Sequence, residues 1–131
     1  MILSVCPNPS VDCTIELDML KTGALNRVEN KVITYSGKAL NAAIGVARLG
    51  GDSFATGFMF DDNGKMFVHT LDDEGVKNTF VWNKGGARTN YKIVDKRSMM
   101  TEINDKGESV GEKEQDELAD LVGELSATAS V

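Results

Sequence analysis

The sequence predicts an α/β fold of layered helices and strands, and three observations carry that expectation. Segments with helical character fall at 39–49, 64–73 and 111–126. Segments with the period or composition of strands lie before and between them. The two kinds alternate along the chain, which is the order of helices packed on a sheet rather than of a bundle or a sandwich. At 131 residues, a single domain is expected. A chain of this size buries roughly two thirds of its unfolded surface, enough for a real core.

MILSVC is a short apolar run stopped by Pro7-Asn8-Pro9, the pattern of a buried strand ended by a proline turn. In residues 11–17, Val11, Cys13, Ile15 and Leu17 alternate with Asp12, Thr14 and Glu16. That is a period-2 strand with one wet face. Residues 21–26 form a turn, and 27–34 suit a second extended segment. From Ala39 to Leu49 the chain is almost wholly apolar, with Leu40, Ala43, Ile44 and Ala47 at helical spacing. A helix apolar nearly all round is expected to be buried, and Gly50-Gly51 suits its end.

Residues 53–60 read as a strand. Asp61-Asp62-Asn63-Gly64 reads as a turn able to cap a helix over 64–73 that turns Met66, Phe67 and Leu71 inward. A short strand is expected at 76–82, extended chain at 87–95 and another strand at 98–104. Residues 111–126 form an amphipathic helix with Leu118, Leu121, Val122 and Leu125 on one stripe. The sequence has no internal repeat and no low-complexity linker. SATASV breaks off where a further apolar segment begins, so the chain is expected to be the N-terminal part of something longer.

Composition narrows the partners. Twenty acidic side chains face fourteen Lys and Arg, for a net charge of −6. That balance argues against a nucleic-acid backbone or an anionic membrane as partner. An anionic ligand must then be met by individual cations. No apolar run reaches the ~18 residues of a spanning helix, and MILSVCPNPS lacks the basic start of a signal peptide. Cys6 and Cys13 suit reduced thiols in a cytoplasmic protein.

Several residues are candidates for chemistry. Gly37-Lys38 opens the apolar helix but is no phosphate loop, because Ala39 stands where Ser or Thr would be needed and no glycine lies five residues before Gly37. It is either a simple turn or a helix N-terminus suited to an anionic or polar ligand. Asn41, in the first turn, ties a neighbouring loop or binds ligand hydroxyls. Asp12 lies on the wet face of its strand, either as a plain surface carboxylate or as a grip on vicinal hydroxyls. Arg88, Asn90 and Lys92 share one strand face, solvated or turned to a phosphate or sugar. Asp61-Asp62-Asn63-Gly64 fails as a calcium loop, since Lys65 falls at a ligand position and Asp72 stands where Glu is needed. His69, the single histidine, lies mid-helix with no second histidine or cysteine pair to share a metal.

Taken together these segments resemble one family. NPSVD at 8–12, LNRV at 25–28, SGKALN at 36–41, RLGG at 48–51, ARTNYKI at 87–93 and TEIN at 101–104 follow the order and spacing of the PfkB carbohydrate kinases. The similarity is to their sugar-phosphate branch, which includes 1-phosphofructokinases and tagatose-6-phosphate kinases. It covers nearly the whole chain.

The resemblance implies a ribokinase-like three-layer α/β fold with a small β lid, of which this chain holds the N-terminal, substrate-binding part. Lid strands are expected at about 11–17, 27–34 and 88–103. The implied reaction moves the γ-phosphate of ATP, with Mg2+, onto a ketose phosphate, foremost fructose 1-phosphate to fructose 1,6-bisphosphate. The alternatives are tagatose-6-phosphate chemistry, a non-catalytic sugar-phosphate binding module, or a dimerising fragment. By motif match Asp12 grips sugar hydroxyls, Gly37 and Lys38 form the turn beneath the sugar, and Asn41 bonds it from the helix. Arg88 contacts the substrate phosphate or its neighbourhood with Asn90 alongside, Asn104 is a further candidate, and Arg27 reaches a site across a homodimer joined through lid strands. No nucleic acid and no membrane are implied.

The family turn reads Gly-Gly-Lys-Gly, and here Ser36 and Ala39 replace its outer glycines, which alters the fit of the sugar. The family's catalytic Asp sits in a Gly-Ala-Gly-Asp segment that these residues do not contain. It is expected beyond Val131, and the chain alone is expected not to turn over ATP.

Overall fold

A computed structural model describes residues 1–131. The elements run β1 (Ile2–Cys6), β2 (Ser10–Leu17), β3 (Asn30–Ser36), α1 (Lys38–Arg48), β4 (Ser53–Phe60) and α2 (Gly64–Asp73). Then follow β5 (Lys77–Asn78), β6 (Val81–Asn83), β7 (Arg88–Asp95), β8 (Met100–Asn104) and α3 (Glu112–Ser126). They build a parallel sheet carrying the helices and a second sheet standing beside it.

The parallel sheet is centred on β4, which pairs with β1, β5 and β6. Every residue of β4 from Ala55 to Phe60 is buried, so both of its faces are covered, as parallel sheets require. Phe67, Leu40, Met59 and Leu71 are the largest fully buried apolar side chains. They belong to one cluster with Cys6, Val11, Ala43, Phe58, Phe60 and Leu118. Gly57 lies at the closest approach. Its φ is +144°, and a Cβ there would stand 1.9 Å from the carbonyl oxygen of Cys6, its partner in β1.

The helices end as their glycines direct. Gly50 at φ +81° lets its own N–H reach the Ala47 carbonyl and the Gly51 N–H reach that of Val46, the paired bonds of a Schellman motif. Gly75 closes α2 in the same way, with bonds from Gly75 and Val76 to Asp72 and Leu71. At the opposite side of β1 the Ser130 N–H donates to Met1 O and the Leu3 N–H to Val131 O. No helix is long and apolar enough to cross a membrane.

The second sheet runs β3-β2-β7-β8, with β2 antiparallel to β3, parallel to β7, and β7 antiparallel to β8. It meets the core near its base, where Val11 joins the apolar cluster and Tyr35 packs edge-on against Phe67 of α2 at 5.3 Å.

The structure corrects several expectations. The second extended segment starts at Asn30 and runs to Ser36, rather than covering 27–34. The lid span 88–103 is made of two strands turned at residues 96–99, the second starting at Met100 rather than at 98. Residues 76–82 hold two short strands, β5 and β6. Helix α1 is not buried all round. Only Leu40 and Ala43 are buried, whereas Ala42 is exposed. Its alanines and Gly45 are apolar by composition, yet they bring little surface whose exposure water penalises. Asn41, expected inside, is exposed too, and its amide is satisfied by Ser36.

Candidate functional site

The lid sheet carries two unlike faces, and register decides what each holds. On one face three rows cross the strands. Nearest the parallel sheet stand Ser36, Ser10 and Arg88. Next come Thr34, Asp12, Asn90 and Asn104, then Val32, Thr14, Lys92 and Glu102. Successive residues of a strand point to opposite faces, so the polar members of β2 and β7 collect here. The apolar alternates Cys13, Ile33, Tyr91 and Ile103 form a row on the reverse face.

Where the polar face meets the start of α1 lies a pocket of about 220 Å³ with no apolar residue in its lining. It brings together Asp12, Gly37, Lys38, Asn41, Arg88, Asn90 and Asn104, seven of the eight residues expected from sequence. Ser10, Ser36, Lys92 and Glu102 complete it. Arg27 is not there. It lines a separate hollow with Leu17, Met19 and Lys21 at the turn between β2 and β3.

The local chemistry suits a ligand with hydroxyls and negative charge. Ser10 Oγ donates to Asp12 Oδ1 at 3.1 Å and Asn90 Nδ2 approaches the same oxygen at 3.5 Å, so the carboxylate is held by two neighbours in the pocket lining. Asn41 Nδ2 donates to Ser36 Oγ at 3.1 Å, pinning the end of β3 to the first turn of α1. Gly37 is the N-cap of α1 and supplies no capping side chain, and the first turn holds no acidic residue. The positive end of the helix therefore opens beside Lys38. A Cβ at Gly37 would stand 2.8 Å from Cys6 Sγ, so only glycine fits the turn without displacing the thiol. Burial pushes the Cys6 thiol up, opposed more weakly by the Asn8 and Leu40 amides and the Arg88 charge. It stays neutral and does not compete with an anion.

Three cations (Lys38, Arg88, Lys92) face two carboxylates (Asp12, Glu102) across the pocket. None of the five takes part in an ion pair. Arg88 Nε and Asn90 Oδ1 are buried and have no hydrogen-bond partner. Buried polar atoms are rarely left this way; of the three such side-chain atoms, these two belong to the pocket and the third, Thr56 Oγ1, lies in β4. A larger cavity of about 520 Å³ lies at the outer edge of β3. Its single cation, Arg48, is already held by Glu74 through two bonds, so the smaller pocket is the better seat for an anion.

Sequence reasoning placed Lys92 on the right strand face without adding it to the site, and missed Glu102 and Ser10. Glu102 lies two residues before Asn104, so the same alternation identifies it. Ser10 precedes Asp12 by two in the same way.

Residues 7–130 match the profile of the pfkB family carbohydrate kinases. A 1-phosphofructokinase of Haloferax volcanii is 38% identical over 95 residues, covering 72% of this chain and 31% of that protein. The structure of phosphofructokinase-2 from Escherichia coli in complex with substrates and products superposes with a TM-score of 0.85 at 25% identity, covering 94% of this chain and 40% of that one. Ribokinase from Thermotoga maritima, at 20% identity over 82% of this chain and 37% of its own, has a TM-score of 0.68 and shows the shared fold. The chain spans about a third of the length of curated relatives it matches. With the profile covering nearly all of its length, the chain belongs to the pfkB family of carbohydrate kinases.

Proposed function

We propose that this chain is the sugar-phosphate-gripping part of a kinase that moves the γ-phosphate of ATP to a ketose phosphate, most narrowly fructose 1-phosphate to fructose 1,6-bisphosphate. One observation carries the reading. A pocket with no apolar lining residue is lined by Arg88 and Asn90, whose Nε and Oδ1 are buried and unpartnered, beside a helix start with no side-chain cap. Asp12 accepts from sugar hydroxyls, and Asn41 and Asn104 contribute further bonds. Arg88 and Lys38 offset phosphate charge, for which an arginine fork is suited. The 1-phosphofructokinase name of the relative supports the choice of ketose.

ATP and Mg2+ belong to this proposal for the whole enzyme. The residues here do not fit the metal, because no three His, Cys, Asp or Glu side chains gather where an ion would sit. No step is routed through it. These residues bind and orient the sugar phosphate; positioning and charge stabilisation make up most of phosphoryl-transfer catalysis.

Two further parts of the reading concern the setting. The reverse lid face, with Ile33 45%, Tyr91 40% and Ile103 57% exposed in one row, supports a homodimer through lid strands. In such a dimer the partner's lid brings Arg27 toward the pocket. Two free, buried cysteines support a reducing, cytoplasmic compartment.

Calorimetric titration of the chain with fructose 1-phosphate tests the site. Binding is expected, with Asp12→Ala lowering affinity about a hundredfold, as loss of a charged group's hydrogen bonds to ligand would. Equal affinity in the Asp12→Ala chain refutes the assignment.

A further inference from the structure

We infer that Asn63 is a positioning residue for the pocket, acting through Arg88 although it lies outside the site. It occupies the N-cap of α2, yet its side chain makes no capping bond. Asparagine is among the best N-cap residues, and capping is its ordinary use at such a place. Here the amide turns away from its own helix. Its Oδ1 accepts from the Ala87 N–H at 2.8 Å, and its Nδ2 donates to the Ala87 carbonyl at 3.0 Å. Both backbone groups of the residue before Arg88 are thereby held by one side chain.

The surrounding bonds explain why this matters. Asp61 N–H donates to Asn83 O and Asp62 N–H to Gly85 O, both at 3.0 Å. Asn63 then bonds to Ala87. The turn after β4 thus grips every second residue of the crossover from β6 to β7. The first two rungs are backbone and the third is a side-chain amide, which has the donor and acceptor of a peptide group. Ala87 is buried, and a Cβ placed on Gly86 would come within 4 Å of Asp62 and Asn63. The next residue is Arg88, whose side chain has little else to hold it. Its guanidinium makes a single long bond of 3.5 Å, to the Asp105 carbonyl, and its Nε has no partner. The direction of Arg88 into the pocket is set from its backbone, and Asn63 fixes that backbone. A local capping preference given up for a contact 24 residues away is the kind of local inconsistency that marks a functional constraint.

The inference rests on the reading of the pocket as a sugar-phosphate site, and the test separates the two. In the full chain, Asn63→Ala is expected to weaken fructose 1-phosphate binding by about tenfold, the effect of one lost positioning contact. In an Arg88→Met background the same substitution is expected to change affinity less than twofold, because the group it positions is gone. An equal loss in both backgrounds, or no loss in the first, overturns the inference. Where Asn63→Ala fails to fold, Asn63→Asp serves under the same criteria, since it keeps the acceptor but sets a carboxylate against the Ala87 carbonyl. A second readout needs no sugar. The Arg88 Nε–H resonance is expected to move in the Asn63 variant, and an unmoved resonance overturns the inference. Should the unsubstituted chain not bind fructose 1-phosphate while this resonance still moves, the sugar-phosphate reading fails and the positioning role stands.

Discussion

Strands β4, SFATGFMF, and β8, MTEIN, live in opposite surroundings. β4 is buried at six consecutive positions, 55–60, and touches a neighbour on every side. β8 is exposed at all five of its positions and pairs on one edge alone. The contrast extends to the sheets they represent. The parallel sheet is held by burial of large apolar side chains. The lid sheet is held by its ladder bonds and a thin apolar row, anchored through Val11 and Tyr35 at its base. Stability is not uniform across such a molecule, and binding surfaces come from the less stable end. The pocket sits at the seam, where the innermost lid row of Ser36, Ser10 and Arg88 is buried or half-buried against the start of α1. The lid strands supply most of its lining, and the start of α1 adds Gly37, Lys38 and Asn41.

The sharpest way to break this comparison is at Gly57, where β1 and β4 approach most closely. Gly57→Ala places a methyl 1.9 Å from the Cys6 carbonyl oxygen at a φ of +144°. Backbone on one side and a tight strand pair on the other leave nothing to yield. A loss of about 4 kcal/mol or more is expected, at the upper end for single substitutions. Urea unfolding followed by fluorescence of Trp82, the only tryptophan, reads it. A midpoint equal to that of the parent would mean that the parallel sheet is not the rigid partner.

A second prediction addresses the far end of the lid. The Asp95 carboxylate is buried and accepts from Arg97 Nε at 2.9 Å, the Arg97 N–H at 3.0 Å and the Leu20 N–H at 3.4 Å. The bond from Arg97 is the main cause that lowers its pKa to about 2, against desolvation that raises it. A depressed carboxylate contributes fully above its unfolded pKa near 4 and loses that contribution as pH falls through the folded value. The amide resonances of Leu20 and Arg97 are therefore expected to titrate together with a midpoint near pH 2, while those of β4 stay unmoved. A midpoint near pH 4 would show that the carboxylate is not held.

What was legible in the sequence follows the same division. β4 and α2 appear at their observed bounds, 53–60 and 64–73, because a continuous apolar run, a polar turn and a helical stripe are all local signals. Period-2 alternation put Asp12, Arg88 and Asn90 on strand faces. It carries nothing about which rung of β2 opposes which rung of β7, strands whose paired residues Asp12 and Asn90 lie 78 apart. The motif resemblance grouped these residues in one site but gave no register, which the strand pairing supplies. It did not indicate that α1 leaves Asn41 and Ala42 to solvent, since covering a helix depends on its neighbours. Asn63 was legible only as a capping residue, because its bonds to Ala87 are tertiary.

The smallest expected effect sharpens the comparison most. Ser98, in the turn between β7 and β8, is the one non-glycine residue with positive φ, at 59°. Its N–H donates to Asp95 O at 2.8 Å, so the turn is held in place. A left-handed conformation costs a residue with a Cβ roughly 1–2 kcal/mol. Glycine removes that strain but adds freedom to the unfolded chain, worth about 0.4–1 kcal/mol the other way. Ser98→Gly should therefore stabilise the hairpin by about half a kcal/mol. If the lid opens separately from the parallel sheet, amide protection in β7 and β8 rises while the Trp82 unfolding midpoint stays put. If both move together, the two sheets form one cooperative unit, and the difference between β4 and β8 is one of exposure alone.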